Sequence, residues 1–267
     1  MTIGQINKGH LIYAKHGTGN SILFAFHGFG QDKSFFQSWE KKLGDRYTIY
    51  AFDLFYHGES TRPPGKLSKK EWKEYLSEVI EENQIKYFSI LGYSLGGRFA
   101  INTALSFPDM TEELILIAPD GIFLTVWFKL ATTPIIRLVF KYLMSNPEKL
   151  ERLIQFNKRA RIVNQYIADF MRKEMGTPEN RKRIYTSWNH FKSLGYKRGK
   201  LIAMFQEHTF KRRIILGAKD YVIKPEGILP IIDKMGNFEI HILNKKHHQL
   251  LDDEIVDLIV EKSNLNS

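Results

Sequence analysis

Residues 87–105, YFSILGYSLGGRFAINTAL, decide the fold of this chain. Their centre, Gly92-Tyr93-Ser94-Leu95-Gly96, fits the pattern G-x-S-x-G, with a short apolar run before it and a helix-like run after it. The pattern predicts a tight strand-to-helix turn at Ser94, in which the glycines leave room for neighbouring backbone. The Ser94 hydroxyl is then exposed above a sheet, where the helix N-terminus favours developing negative charge.

The rest of the chain alternates strand-like and helix-like segments, which predicts an α/β fold with a mostly parallel central sheet flanked by helices. Ile3 to Tyr13 predicts an initial antiparallel pair, and Leu67 to Gln84 a surface helix. The other predicted elements are strands at Ile22 to Phe26, Thr48 to Phe52, Phe88 to Leu91, Leu114 to Ala118, Arg213 to Leu216 and Phe238 to Leu243, and a closing helix at Ile255 to Val260.

Residues 121–210 differ from the rest because they contain amphipathic helical stretches, at Pro134 to Met144 and Pro147 to Met175, and little that resembles a strand. They hold 17 Lys and Arg against 6 Asp and Glu, a net charge of +11, whereas the remainder holds 22 against 23. The basic balance of the protein therefore belongs to this segment, which the pattern identifies as an insertion.

The composition excludes several classes of chemistry. The 267 residues include no cysteine, which excludes disulfides, thiolate metal sites and a cysteine nucleophile and fits a reducing compartment. The N-terminal residues have no apolar stretch of the signal-peptide type, and no run approaches the ~20 apolar residues of a membrane span. These observations predict a cytoplasmic protein.

A serine hydroxyl is a poor nucleophile at neutral pH, so Ser94 needs a base and an acid that orients the base. Candidates follow the last two predicted strands, in the order Ser, Asp, His. Asp220 ends Gly217-Ala218-Lys219-Asp220, and the adjacent His247 and His248 come after the final strand. Only one of these two imidazoles can bridge Ser94 and Asp220.

Four further segments resemble motifs of the α/β-hydrolase family over nearly the whole chain. They are His27-Gly28-Phe29-Gly30, Asp53-Leu54-Phe55-Tyr56-His57-Gly58-Glu59-Ser60, Gly217-Ala218-Lys219-Asp220 and His248-Gln249-Leu250-Leu251-Asp252. Two positions depart from the family pattern. Tyr56 stands where a glycine usually precedes the His-Gly pair, and His247 stands where a glycine commonly precedes the base.

The resemblance implies roles for particular residues. It favours His248 as the base, with His247 as the alternative, and Asp220 as the acid, with Asp120 as the alternative after an earlier strand. The backbone N–H groups of Phe29 and Leu95 are expected to form the oxyanion hole. His27, Asp53 and His57 are expected to order their loops.

The resemblance also divides the chain into a hydrolase core, residues 1–120 and 211–267, and a helical cap over residues 121–210. It implies a serine hydrolase that cleaves carboxylic esters or thioesters of small-to-medium apolar acyl or aryl groups. The alternatives are a carbon–carbon bond hydrolase of diketones or a perhydrolase with the same triad, and a non-enzymatic small-molecule receptor.

No cofactor or metal is expected. Adjacent histidines project in different directions, no second group at zinc-like spacing follows them, and Gly92 to Gly97 lacks the dinucleotide-binding spacing. The expected partner is an ester-like small molecule. The basic insertion can attract an anionic substrate or an acidic lipid surface, and no recognised nucleic-acid motif orders its arginines and aromatic residues, so no nucleic acid is expected.

Overall fold

The computed structural model describes residues 3–6, 9–63, 65–123, 133–162 and 165–261. The chain divides into two compact units. The core unit comprises Met1–Pro64, Ser68–Phe123 and Leu194–Ser267, and the helical unit comprises Gly65–Leu67 and Leu124–Ser193.

The helical unit is shorter than the predicted insertion of residues 121–210. Helix Arg198–Glu207 belongs to the core unit, where it packs against helix Pro225–Met235. Leu201 and Phe205 bury its apolar face. The parts of the predicted insertion at 124–132 and 163–164 lie outside the described residues.

The core unit contains an eight-stranded, mostly parallel sheet with the order β1-β2-β4-β3-β5-β6-β7-β8, which confirms the predicted fold class. The β1–β2 and β2–β4 pairs are antiparallel, and every other pair is parallel. The strands are β1 Ile3–Ile6, β2 Gly9–His16, β3 Ser21–Phe26, β4 Tyr47–Phe52, β5 Phe88–Tyr93, β6 Thr111–Ile117, β7 Lys211–Gly217 and β8 Phe238–Leu243.

The central strands are continuous apolar runs because helices cover both faces of a parallel sheet. Every residue of β5 is buried, for example, so neither face of the strand is exposed to solvent. The described α-helices of the core unit are Glu40–Leu43, Lys69–Glu82, Leu95–Ser106, Arg198–Glu207, Pro225–Met235 and Asp253–Glu261. Helix Lys69–Glu82 begins at a capping box, in which Ser68 and Glu71 each accept the other's backbone N–H.

The helical unit contains four described α-helices, Pro134–Ser145, Pro147–Arg159, Gln165–Glu174 and Pro178–Phe191. The stretch predicted as helical from Pro147 to Met175 occurs as two helices, because the first ends at Arg159 and Arg161 adopts a positive φ of 56°. Buried Arg181 holds the unit together by donating to the carbonyl oxygens of Met144, at 2.8 Å, and Met175, at 2.9 Å.

Within the described part of the chain, no helix combines the length and the apolar composition that crossing a bilayer requires.

Candidate active site

Ser94 occupies a strained turn between β5 and helix Leu95–Ser106. Its φ and ψ are 48° and −115°, a conformation that costs a non-glycine residue roughly 1–3 kcal/mol. The neighbouring glycines permit the turn because a Cβ at Gly92 would lie 2.6 Å from Ala100 Cβ, and one at Gly96 would lie 2.0 Å from Phe26 O. The predicted strand-turn-helix around Ser94 is therefore present, and the Ser94 side chain is half-buried.

His247 connects Ser94 to Asp220. Its Nδ1 lies 2.6 Å from Asp220 Oδ2, and its Nε2 lies 3.0 Å from Ser94 Oγ. Because an ionised carboxylate only accepts hydrogen bonds, Nδ1 carries the proton and Nε2 accepts from the serine hydroxyl. The buried His247 and Asp220 thus leave a basic nitrogen directed at Ser94.

The preference for His248 as the residue that bridges Ser94 and Asp220 is wrong in this structure. His247 and His248 open a short 3-10 helix, His247–Gln249, in which successive side chains point about 120° apart. The His247 side chain is buried, whereas that of His248 is exposed. The Tyr93 hydroxyl donates to the His247 carbonyl oxygen at 3.2 Å and fixes this turn beside the serine.

The sequence alone does not separate the two histidines, because Leu250 lies three residues after His247 and Leu251 three residues after His248. Residues three apart on a 3-10 helix share a face, and in the structure Leu250 is fully buried. The inward face of the turn therefore includes position 247 and excludes position 248.

Asp220 is held by its own loop. Its Oδ1 accepts from the backbone N–H groups of Val222, at 2.8 Å, and Ile223, at 2.9 Å, which leaves Oδ2 for the imidazole. The Asp220 N–H donates to Gly217 O at 3.0 Å, and a Cβ at Gly217 would lie 2.5 Å from Lys245 O. The predicted Gly-x-x-Asp turn thus brings the carboxylate to the histidine.

Asp120, the alternative acid, has a different partner. Its Oδ1 and Oδ2 accept from Arg98 Nη2 at 2.9 and 2.8 Å, and Oδ2 also accepts from Arg98 Nε at 3.1 Å. Arg98 is 1% exposed, so the carboxylate neutralises a buried cation. The Asp120 N–H donates to Ser94 O at 2.7 Å, which couples this ion pair to the serine turn through backbone.

The loop after β3 contains Phe29, whose amide was predicted to help form the oxyanion hole. His27 Nδ1 donates to Gly28 O at 2.7 Å, and its Nε2 accepts from Leu54 N at 3.1 Å. The Gly28 N–H donates to Gln31 Oε1 at 2.8 Å. Leu95 is the first residue of its helix, and the N–H groups of a first helical turn have no acceptor within the helix.

Asp53 ties the β3 loop to the loop after β4. Its buried carboxylate accepts from the backbone N–H groups of Lys33, at 2.6 Å, and Glu59, at 2.8 Å, and from Lys33 Nζ at 3.0 Å. Burial alone would lower the pKa of Lys33, but hydrogen bonds to Glu59 and Asp53 outweigh it and raise that pKa above its usual value.

Tyr56 adopts a positive φ of 68°, a backbone conformation that favours glycine. Its hydroxyl accepts from Arg62 Nη1 at 3.4 Å, and burial raises the pKa of the phenol even though Arg62 opposes the shift. The departure from the motif therefore places a tyrosine at a position whose positive φ suits a glycine.

The sequence pattern that defines the α/β-hydrolase fold family matches residues 22–254. This range includes the loops after β3 and β4, the turn at Ser94 and the segment that contains His247. The chain belongs to the α/β-hydrolase fold family.

Relatives of this α/β-hydrolase-fold protein match part of its length. An uncharacterized protein of Mycobacterium tuberculosis is 32% identical over 120 residues, 44% of this chain and 35% of that protein. The human 1-acylglycerol-3-phosphate O-acyltransferase ABHD5 is 32% identical over 128 residues, 44% of this chain and 36% of that protein. The matches therefore span little more than a third of the length of these relatives.

Solved structures of the family match the whole chain. An esterase from Thermogutta terrifontis superposes with a TM-score of 0.73 over 99% of this chain and 98% of its own, at 15% sequence identity. At that identity the likeness establishes the shared fold.

The described part of this α/β-hydrolase-fold chain contains no group of three or more His, Asp or Glu residues placed to hold a metal ion. The site described above brings together a serine, an imidazole and a carboxylate.

Proposed function

We propose that this protein is a serine hydrolase that cleaves carboxylic esters or thioesters through an acyl-enzyme. The hydrogen-bonded series Asp220–His247–Ser94, with separations of 2.6 and 3.0 Å, carries the proposal. A strained serine backbone and a buried imidazole of defined tautomer are features that a nucleophile requires and that a folded domain does not otherwise need.

In the first half-reaction, Ser94 Oγ attacks the carbonyl carbon while its proton passes to His247 Nε2. The tetrahedral intermediate collapses when that proton passes from His247 to the leaving oxygen or sulfur. In the second half-reaction, His247 removes a proton from water as the water oxygen attacks the acyl-enzyme carbonyl. The second tetrahedral intermediate collapses when His247 returns that proton to Ser94 Oγ, which releases the acid and regenerates the serine and the neutral imidazole.

Asp220 holds the imidazole in the tautomer that leaves Nε2 basic, and it stabilises the imidazolium that forms in each half-reaction. Its two backbone hydrogen bonds keep the carboxylate fixed during the proton transfer. The amides of Leu95 and Phe29 are assigned to the oxyanion, and the positive end of helix Leu95–Ser106 supports the developing charge.

The class of substrate follows from the resemblance and from this chemistry. An apolar acyl or aryl ester of small-to-medium size is the proposed substrate, and the same series of residues can also serve carbon–carbon bond hydrolysis or perhydrolysis. The non-enzymatic receptor is the weaker alternative, because a receptor does not need an imidazole hydrogen-bonded to an accessible serine.

Labelling with a fluorophosphonate probe tests the proposal, because the probe reacts with an activated serine. Wild-type protein should be labelled at Ser94 and should hydrolyse p-nitrophenyl esters, with a rate that depends on acyl length. A matched panel of thioesters and vinylogous diketones distinguishes the reaction subtypes. Absence of both labelling and turnover in folded protein would favour the receptor.

A further inference from the structure

Helix Pro147–Arg159 of the helical unit has two apolar faces, although a helix of a soluble domain normally needs one. Leu150 and Ile154, four residues apart, are buried and form the face that packs within the unit. Leu153 and Phe156 occupy a different face, and their side chains are 40% and 65% exposed.

The preceding helix, Pro134–Ser145, repeats this arrangement. Phe140 stacks on Trp188 with ring centroids 5.5 Å apart, which gives the helix its inward contact. Leu138 is 65% exposed, and Val139 and Tyr142 are about half exposed on the side away from that contact.

Lys149 of the second helix contacts Tyr142 of the first, which brings the exposed apolar faces of the two helices next to each other. The Lys149 Nζ lies 4.6 Å from the centroid of the Tyr142 ring and contacts the Tyr142 hydroxyl. Lys149 stands one turn before Leu153 on its own helix, so the exposed side chains of the two helices are neighbours. We call this surface the apolar strip, and it consists of Leu138, Val139, Tyr142, Leu153 and Phe156.

The segment that contains the apolar strip is rich in cations. Residues 133–162 contain seven Lys or Arg and two Asp or Glu. One of the two acids, Glu151, is neutralised by Arg172, whose Nη2 lies 2.7 Å from it. The exposed cations of the strip's two helices and the turn that follows are Lys141, Lys149, Arg152, Lys158, Arg159 and Arg161.

We propose that the apolar strip binds the surface of a lipid bilayer that contains anionic phospholipids. Exposed apolar and aromatic side chains on amphipathic helices insert at the boundary between headgroups and acyl chains, while the flanking Lys and Arg remain at the phosphate level. The cation excess identifies anionic headgroups as the complementary surface. A second copy of the chain would place two such positive faces against each other, which opposes self-association.

Vesicle sedimentation with the full chain tests the proposal. Wild-type protein should sediment with vesicles of phosphatidylcholine and phosphatidylglycerol and remain in solution with pure phosphatidylcholine. Phe156→Ser should weaken vesicle binding by about tenfold or more, because transfer of one Phe side chain from water to an apolar environment is favourable enough to change the affinity by that factor. Arg152→Gln should weaken vesicle binding by about fivefold, because each Lys or Arg near an anionic membrane surface contributes roughly 1 kcal/mol to the binding free energy.

Tyr87→Ser and Lys41→Gln are the matched controls, because both side chains are exposed in the core unit. Neither should change vesicle binding. Circular dichroism and Tm should remain at wild-type values in all four variants, because each altered side chain is exposed.

Three results would overturn the proposal. They are equal binding to neutral and anionic vesicles, no effect of Phe156→Ser and Arg152→Gln in folded protein, and a dimer by light scattering that Phe156→Ser dissociates. The last result would identify the strip as an interface between copies of the chain. The readout does not use hydrolysis, so it is separate from the proposed function.

Discussion

The imidazole of His247 donates to the carboxylate of Asp220 across 2.6 Å and keeps its other nitrogen for Ser94. The adjacent His248 side chain is exposed. A one-residue difference along the chain therefore separates the imidazole that bridges Ser94 and Asp220 from an exposed one, because a 3-10 turn directs successive side chains to different sides.

His247→Ala should reduce kcat for p-nitrophenyl ester hydrolysis by about 10⁴-fold, because it removes the proton acceptor of Ser94. His248→Ala is the matched control and should keep at least half of the wild-type kcat. The measurement is initial-rate kinetics of the two purified variants. A larger loss for His248→Ala than for His247→Ala would return the base to position 248.

The two candidate acids should respond in opposite ways to the same substitution. Asp220→Asn should reduce kcat by several orders of magnitude with little change in Tm, because the amide cannot hold the required tautomer. Asp120→Asn should keep most of the activity and lower the free energy of unfolding by about 1–3 kcal/mol, because it removes the countercharge of buried Arg98. Urea unfolding and esterase rates on both variants make the comparison.

Ser94→Ala should abolish fluorophosphonate labelling and reduce ester turnover by about 10⁴-fold or more. Its hydroxyl is half-buried, so the variant should retain the wild-type circular dichroism spectrum. The labelled peptide in wild-type protein should contain Ser94 by mass spectrometry. Wild-type turnover by a contaminant-free Ser94→Ala preparation is the result that would contradict the nucleophile assignment.

The central strands could be predicted from the sequence because burial on both faces makes their inner residues short continuous apolar runs. Strand β8 occurs at the predicted bounds, and the other predicted strands are longer than expected by one to three residues. The turn at Ser94 could be predicted because the G-x-S-x-G pattern places glycines where a side chain would clash. In the structure, a Cβ at Gly92 or Gly96 would lie too close to neighbouring atoms.

Two features depended on packing that local sequence does not encode. The compact helical unit ends at Ser193, before residue 210, because helix Arg198–Glu207 packs in the core unit although its composition resembles that of the insertion. The imidazole that bridges Ser94 and Asp220 lies one residue before the predicted position, because motif spacing does not account for the 3-10 turn at His247–Gln249.

Gln31 offers a test of the loop that contains Phe29. Its side-chain oxygen accepts from the Gly28 amide, one residue before the amide assigned to the oxyanion. Gln31→Met preserves volume and removes the acceptor, so kcat should fall about tenfold with little change in KM, as expected when only transition-state contacts weaken. Gln37→Met, at an exposed position of the neighbouring 3-10 helix, should leave kcat unchanged.

Gly96→Ala should cost more in activity than its single methyl group suggests. The added Cβ would lie 2.0 Å from Phe26 O and 2.7 Å from His27 O, both backbone atoms at the end of β3. Either that strand end or the serine turn must move, and both carry groups assigned to the reaction. We expect kcat to fall at least about 100-fold, because small misplacements of an oxyanion donor or nucleophile have effects of this size.

Gly199→Ala is the control for that substitution. Gly199 lies in helix Arg198–Glu207, and a Cβ there would have no atom within 4 Å. The alanine should raise the free energy of unfolding by about 0.4–1 kcal/mol, because it reduces the conformational freedom of the unfolded chain, and kcat should not change. Urea unfolding and kcat measured on both variants separate a steric effect at the serine turn from a general effect of replacing glycine. Wild-type kcat in folded Gly96→Ala would show that the turn tolerates a side chain at position 96 and that its close approach to β3 is not required for catalysis.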